Sequence, residues 1–586
     1  MSIIESTGPS AAAAPPASQQ KLDETEKANL DAAIDELSAG AARWAASSLT
    51  ERAQLISRVH AAITPAAELW ATTASEIKGL AGDSQLRGEE WISGPYATLS
   101  GAGTLAKTIA ALASGASPLD GIRFGTAPGG RVTVPFLPHD AKEALLFNGF
   151  HGEVWMPPGV TEATVRSQVG LGELHPTESG GVGLVLGAGN ITSIPPLDVL
   201  YEIVAENRSV LLKLNPVMAR MLPVYTAALA PLIEFGVLRI VQGAAAVGSY
   251  LAHHAKISHV HITGSAATHD AIVWGGGAEG AARRAAGTPL LTKPITSELG
   301  GVAPIIVVPG AWTKRDLRFQ AEHVATMRLH NGGYNCIAGQ VVVLSSGWPQ
   351  KAEFVAELRA AIERTPGRTA WYPGSDGRVD GAKASYPAAE NLEGCLLIDV
   401  TGGGDAHDLQ TTEYFSPVLG VVEVAGSGQA FLDAAVTTVN DDFVGTLGAN
   451  VIVQPKDRSA LGAGFDEAIA RLEYGTIAIN TWTGLGFLSA PAPWGAFPGH
   501  TLEKVGSGIG RVHNAFLLDA PERTVVTGPF RPFPRSFAHG EFTLFPKPPW
   551  FVTARSAATT GRRLAAYAAK PSWLKMPAIF LSAFKA

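Results

Sequence analysis

Cysteine is scarce in this chain, with two in 586 residues, Cys336 and Cys395. Two thiols cannot build a disulfide framework, so each has to be explained on its own. Charge is thin as well: 17% charged residues stand against 46% hydrophobic ones, and the formal net charge is −7. That balance supplies material for large cores and excludes a general nucleic-acid binder, which needs a basic surface to neutralise phosphates. No apolar run reaches the ~18 residues that a spanning helix requires, and the nearest, Met576 to Phe584, is about half as long. No basic region followed by an apolar stretch opens the chain, which predicts a cytoplasmic protein. No internal repeat is found, and four histidines close together, His253, His254, His259 and His261, lack the Cys or acid partners that a metal site needs.

What is present is a change of pattern along the chain. Residues 1–20, rich in Ala, Pro, Ser and Gln, cannot bury enough apolar surface to offset ordering entropy and are expected to be disordered. Lys21 to Ser48 and Ala53 to Leu80 have the apolar spacing of amphipathic helices. From Gly180 onward short apolar strands alternate with helices, beginning at Val182–Leu186, Val210–Leu214, Leu238–Val241 and His259–Ile262. A second set runs from Ile305–Val308 through Gln340–Leu344 to Gly475–Asn480. Alternation of this kind predicts an α/β protein with parallel sheets and crossover helices. The expected division is 21–150 with 176–290 for one α/β domain and 291–510 for a second. A small β element is expected from 151–175 with 511–545, including a strand near Pro534 to Leu544, followed by a C-terminal extension, 546–586.

Several residues carry candidate chemistry. Cys336 follows a Gly-Gly turn in Asn335-Cys336-Ile337-Ala338-Gly339, and a position near a helix N-terminus would favour its thiolate. Cys395 lies in an apolar strand and reads as an inert core thiol. Glu298, in Ser297-Glu298-Leu299-Gly300-Gly301, could serve as a base or as a solvated strand-end acid. Thiol and carboxyl together suggest attack on a carbonyl and release of the acyl group by an activated water. Asn190 ends the loop after the first strand, where open α/β sheets bind ligands; it could supply an oxyanion donor or simply accommodate a turn. Lys213 closes the second strand, facing ribose or phosphate on one reading and solvent on the other. Gly243 to Gly248 and Thr263-Gly264-Ser265 each follow a strand and precede a helix, as phosphate-binding turns do, without the three-glycine dinucleotide fingerprint.

In this order the motifs resemble the aldehyde dehydrogenase superfamily, from about Arg43 to Phe516. The likeness includes Glu413-Tyr414-Phe415-Ser416-Pro417 and Gly475-Thr476-Ile477-Ala478-Ile479-Asn480. The resemblance implies a Rossmann-like cofactor domain, an α/β catalytic domain and a small β oligomerisation element that joins subunits into a homodimer or homotetramer. It implies Cys336 as nucleophile, Glu298 as general base, and an oxyanion hole of Asn190 with the Cys336 amide. NAD or NADP would be held by Lys213, Gly243, Gly248, Gly264, Ser265, Leu299, Glu413 and Phe415, with no metal. The activity implied is oxidation of a small-molecule aldehyde to a carboxylic acid through a cysteine thioester. A coenzyme A-acylating enzyme and a non-catalytic relative are the competing readings.

The sequence departs from the family in four small places and one larger one. Pro216 stands where many NAD-preferring members carry a glutamate, which leaves NAD against NADP open. His269 replaces a glycine and is expected to crowd a pyrophosphate. Tyr334-Asn335 is expected to reshape the mouth of the substrate tunnel, and the gap between Glu298 and Cys336 is slightly long. The last departure is larger: after Glu541 there is no acid, while seven Lys and Arg side chains accompany aromatic ones. Residues Thr553 to Lys570 read as an amphipathic helix. That piece could pack on the enzyme's own acidic surface, contact a membrane, or form a lid over the substrate tunnel that favours apolar aldehydes.

Overall fold

The computed structural model describes residues 22–586, and the expected disorder of residues 1–20 lies outside them. Two long helices open the described chain, Glu24–Ala46 and Leu49–Ile77, each started by a reciprocal capping box, at Asp23 with Glu26 and at Ser48 with Glu51. They pack on the first sheet through a buried Arg52. Its guanidinium donates to Glu173 at 3.0 Å, Asn207 at 2.7 Å and the Trp44 carbonyl at 2.9 Å. A helical cation here stitches three distant segments together and leaves few of its donors idle.

The first sheet has six strands in the order Gly508–Ile509, Ile295–Leu299, Ile257–Gly264, Val182–Leu186, Ser209–Lys213, Leu238–Val241. All pairings are parallel except that of Gly508–Ile509. The chain winds outward in opposite directions from Val182–Leu186, so a crevice opens beyond the carboxyl ends of this strand and its neighbour Ile257–Gly264. Val182–Leu186 reads as an unbroken, fully buried apolar run, whereas Ile257–Gly264 buries two histidines among its apolar residues.

The second sheet has eleven strands. Its parallel centre runs Arg523–Thr527, Thr476–Ile479, Gly448–Ile452, Ala303–Val307, Gly339–Ser345, Val418–Val424, Cys395–Asp399. Beyond Arg523–Thr527 lie His151–Trp155, Arg131–Leu137 and Gly125–Ala127, all antiparallel. Several expected boundaries change as a result. Ile295–Leu299, placed with the second domain, pairs with Ile257–Gly264 because its buried residues continue the first sheet's core. Residues 125–137, placed with the cofactor domain, belong to the second sheet. Pro534 to Leu544 is not a strand but holds a short helix, Arg535–Ala538; the strand of that region is Arg523–Thr527. Within one molecule the element from 151–175 and 511–545 thus joins the chain's own second sheet.

The C-terminal extension folds back as helices Ala557–Ala569 and Met576–Ala583. They pack on the segment Arg87–Tyr96 mainly by apolar contact, with Ile92, Leu146, Leu564, Tyr567, Met576 and Ile579 forming one cluster. A Cβ on Gly88 would meet the Ala557 backbone at 2.4 Å, so only glycine permits this approach. Charge adds less than the basic composition suggests: the ion pairs are Lys547–Glu322 and a solvent-exposed Arg562–Glu68.

Candidate active site

A cavity of 570 Å³ occupies the crevice of the first sheet, closed from the other side by loops of the second. Cys336, Glu298 and Asn190 all line it, together with Lys213, Gly248, Gly264, Ser265, Glu413 and Phe415. Two expected cofactor residues are not brought to this wall. Gly243 precedes helix Ala245–His253 and faces Val247, the Leu299 side chain is buried, and neither lines the cavity.

The Asn190 loop is held from beneath. Thr192 is fully buried, accepts from the Trp70 indole at 2.8 Å, and gives its carbonyl to the Tyr225 hydroxyl at 2.8 Å. Within the loop, a Cβ on Gly189 would lie 2.7 Å from the Asn215 side chain, so any larger residue would have to displace that side chain. The Asn190 amide donates to the Tyr334 carbonyl at 2.9 Å. A primary amide carries two donors, which leaves one for a ligand.

Cys336 lies on a turn between helix Lys314–Leu329 and strand Gly339–Ser345. Asn331 ties this turn to the Asn190 loop, donating to the carbonyls of Tyr334 at 3.1 Å and Asn190 at 3.2 Å. Arg328, fully buried, donates to the carbonyls of Gly333 at 3.0 Å and of Ser416, clamping the nucleophile turn to the Phe415 loop. Burial pushes the Arg328 pKa down to about 10. The expectation of a thiol acidified by a helix is overturned, because no helix begins at Cys336. Burial, and then the Glu298 carboxylate facing it, raise the Cys336 thiol well above its ordinary range. Cys395 is buried in its strand, as its apolar neighbours require.

Glu298 is 3% exposed, and burial raises its pKa to about 7, opposed by contact with the Cys336 thiol. The Trp494 indole lies against the same carboxyl. Behind Glu298 runs a buried polar chain: Asp198 accepts from Thr263 at 3.0 Å and lies 3.6 Å from His261. Thr296 joins His261 and His259, each at 2.9 Å. Those histidines are thus spent on hydrogen bonds, and among the described residues no group of three His, Cys, Asp or Glu side chains could hold a metal.

Lys213 is 8% exposed and forms no ion pair among the described residues; burial alone lowers its pKa. A buried cation aimed into a cavity without a partner fits a ligand rich in hydroxyl or phosphate oxygen. Ser265 caps helix Ala266–Val273, accepting from the Thr268 amide, at the same wall. Glu413 packs so tightly on Gly300 that a Cβ there would lie 2.0 Å from its Oε1; burial raises its pKa to about 8. Phe415 holds φ of +41°, a strained value for an aromatic residue, stacked edge-on against Tyr372 with ring centroids 5.0 Å apart. A dinucleotide is a fit for this donor set.

His269 does not crowd the cavity; it is fully buried beneath its helix and bonded to Asp270. Tyr334 and Asn335 are structural: the Tyr334 hydroxyl donates to Ser375 at 2.8 Å, and the Asn335 amide donates to the His330 carbonyl at 3.0 Å. Tyr372 and Arg378, which sequence reasoning did not single out, line the cavity, and Arg378 donates to the Phe415 carbonyl at 3.2 Å.

Residues 198–376, which include Lys213, Glu298 and Cys336, match the model of the aldehyde dehydrogenase family. Among solved structures, a mutant aldehyde dehydrogenase C from Pseudomonas syringae, complexed with NAD+ and octanal, is 20% identical with a TM-score of 0.55, over 86% of this chain and 90% of that one. Gamma-glutamyl-gamma-aminobutyraldehyde dehydrogenase from Burkholderia cenocepacia is 20% identical, TM-score 0.53, over 86% and 89%. A Mycobacterium tuberculosis aldehyde dehydrogenase complexed with NAD+ is 17% identical, TM-score 0.54, over 85% and 89%.

Proposed function

We propose that this chain, an aldehyde dehydrogenase in its fold and over its 198–376 segment, oxidises an aldehyde to a carboxylic acid with NAD or NADP. The observation that carries the reading is the apposition of the Cys336 thiol and the Glu298 carboxyl, tuned to about 7, in a cavity that also presents the unpartnered Lys213.

Cys336 is a poor thiolate at rest, so its proton passes to Glu298 as sulfur attacks the carbonyl carbon. A carbon–sulfur bond forms and the carbonyl electron pair moves onto oxygen. The free Asn190 N–H, with the Cys336 amide, receives that oxyanion. When bound, NAD or NADP supplies the two-electron acceptor that turns the sulfur adduct into a thioester. Glu298 passes its first proton to solvent, then takes one from a water whose oxygen attacks the thioester, and hands that proton to the departing Cys336 sulfur. The carbon–sulfur bond breaks, the acid leaves, and Cys336 is restored. Lys213 and Glu413 hold the ribose end of the cofactor in this reading, and Phe415 packs beside the nicotinamide. A homodimer or homotetramer in the cytoplasm belongs to the same reading and is checked by light scattering.

The test is formation of reduced nicotinamide from a panel of aldehydes, with NAD and NADP run separately and with or without coenzyme A. Turnover without coenzyme A supports hydrolysis. Turnover only with coenzyme A points to the acylating reaction, and silence from a folded, cofactor-binding protein overturns the enzyme reading.

A further inference from the structure

A second, larger cavity of 690 Å³ lies away from the cofactor crevice. Its walls come from three parts of the chain: Leu99 on helix Ala97–Ala113, Phe136 and Phe150 on the antiparallel side of the second sheet, and Trp550, Leu564 and Tyr567 of the C-terminal extension. The extension closes one side of the cavity. A Cβ on Gly561 would meet Trp91 at 2.9 Å, and the helix Ala557–Ala569 can lie this close only because both contact points are glycine. The volume suits a drug-sized or lipid-sized ligand, and beside these apolar walls the lining includes Lys107, Asp140, Lys142 and Glu143, which leave room for a polar end.

Apolar side chains are packed in series between this chamber and the reacting groups. Leu488 and Ala490 line both the large cavity and a small one beside it, which is also lined by Phe487. The Phe487 ring packs edge-on against Trp494, centroids 5.2 Å apart, and Trp494 lies against Glu298. The same ring packs against Ala188, Ile191 and Ile194, which flank Asn190 in sequence. Phe487, half-buried, therefore separates the large chamber from the carbonyl site.

We infer that the chamber under the C-terminal helices receives the hydrocarbon of a long-chain aliphatic aldehyde, whose carbonyl reaches Cys336 past Phe487. This rests on Cys336 as the nucleophile and narrows the substrate class. A chamber of this size holds many methylenes out of water, and each buried methylene contributes about 0.8 kcal/mol, so kcat/KM is expected to climb roughly fourfold per carbon until the chamber is full. A short aldehyde uses only the carbonyl site and gains nothing from the extension.

The experiment compares propanal, hexanal and dodecanal on the full chain and on Leu564→Trp, which fills the chamber far from the reacting groups. The expected result is a steep rise with chain length in the natural protein. In Leu564→Trp the loss for dodecanal should be tenfold or more, with propanal turnover within twofold. A flat chain-length profile, or equal turnover of dodecanal by both proteins, overturns the inference while leaving the dehydrogenase reading intact. Calorimetric binding of dodecan-1-ol keeps the two readings separable. Binding to Cys336→Ala that Leu564→Trp weakens supports the chamber even if no aldehyde is oxidised, and absence of binding refutes it. Should Leu564→Trp fail to fold, Leu99→Trp fills the same chamber from the opposite wall.

Discussion

Glu298→Gln separates two consequences of one buried carboxyl. Its pKa stands at about 7 where the ordinary value is 4.5, so the folded protein keeps this proton over a range in which the unfolded chain has released it. The native state binds more protons between those two values, and stability therefore falls as pH rises through that window. Integrated from pH 5 to pH 8, the loss is about 2–3 kcal/mol. Gln cannot ionise and should remove that part of the pH dependence. Urea unfolding of both proteins at pH 5 and pH 8 measures it: the difference in stability should shift in favour of the variant by about 2–3 kcal/mol at the higher pH. The kinetic consequence has the opposite sign. Activity of the natural enzyme should rise with pH through about 7 as Glu298 ionises. In the variant, steady turnover should drop by about 10²–10⁴. A burst of reduced nicotinamide near one per active site should persist, slower at pH 7 and recovering as pH is raised, because the thiol has lost its proton acceptor. An unchanged pH dependence of stability together with an unchanged activity profile would refute both the burial argument and the role of base.

Cys336→Ala should abolish turnover and leave dinucleotide binding within about twofold of the natural protein, as fluorescence titration would show; residual turnover would exclude Cys336 as the nucleophile. Lys213→Met should raise thermal stability, since a buried cation without a partner is removed. It should also weaken dinucleotide binding about tenfold or more, the size of a lost charged hydrogen bond. The outer face of the extension exposes Trp573, Leu574, Leu581 and Phe584 beside Lys570 and Lys585. It should bind vesicles rich in anionic lipid, sedimenting with them at low salt and releasing at high salt.

Cys336, Glu298, Asn190 and Lys213 were legible because each stands at a strand end or beside a glycine turn, where the apolar pattern stops and one polar residue interrupts it. Arg328 and Asn331 were not. A cation inside a helix and an asparagine in a turn look like solvated residues until the carbonyls of Gly333, Ser416, Tyr334 and Asn190 converge on them. Tyr372 sits in an irregular segment, and Arg378 lies on helix Ser375–Ser385, whose small and polar residues mark no face. The strand Arg131–Leu137 carries Pro135 in its interior, which argues against a strand; a register shift beside that residue lets the pairing proceed. The environment of the thiol could not be read at all. Its protonation depends on carboxylates brought from Glu298 and Glu413, and sequence distance says nothing of that. Likewise the amphipathic pattern of the extension specified a buried face without saying that Gly88 and Trp91 would cover it.

The strand Arg523–Thr527 lies between His151–Trp155 and Thr476–Ile479. During synthesis both neighbours leave the ribosome before it does. The nascent chain must therefore carry two unpaired strand edges, one of them at the margin of an apolar parallel sheet, until residues 523–527 have emerged. Such edges invite pairing with other chains. A ribosome stalled before Arg523 should hold an incomplete sheet that chaperones recognise, and the C-terminal strand acts as the closing stave whose arrival ends that exposure.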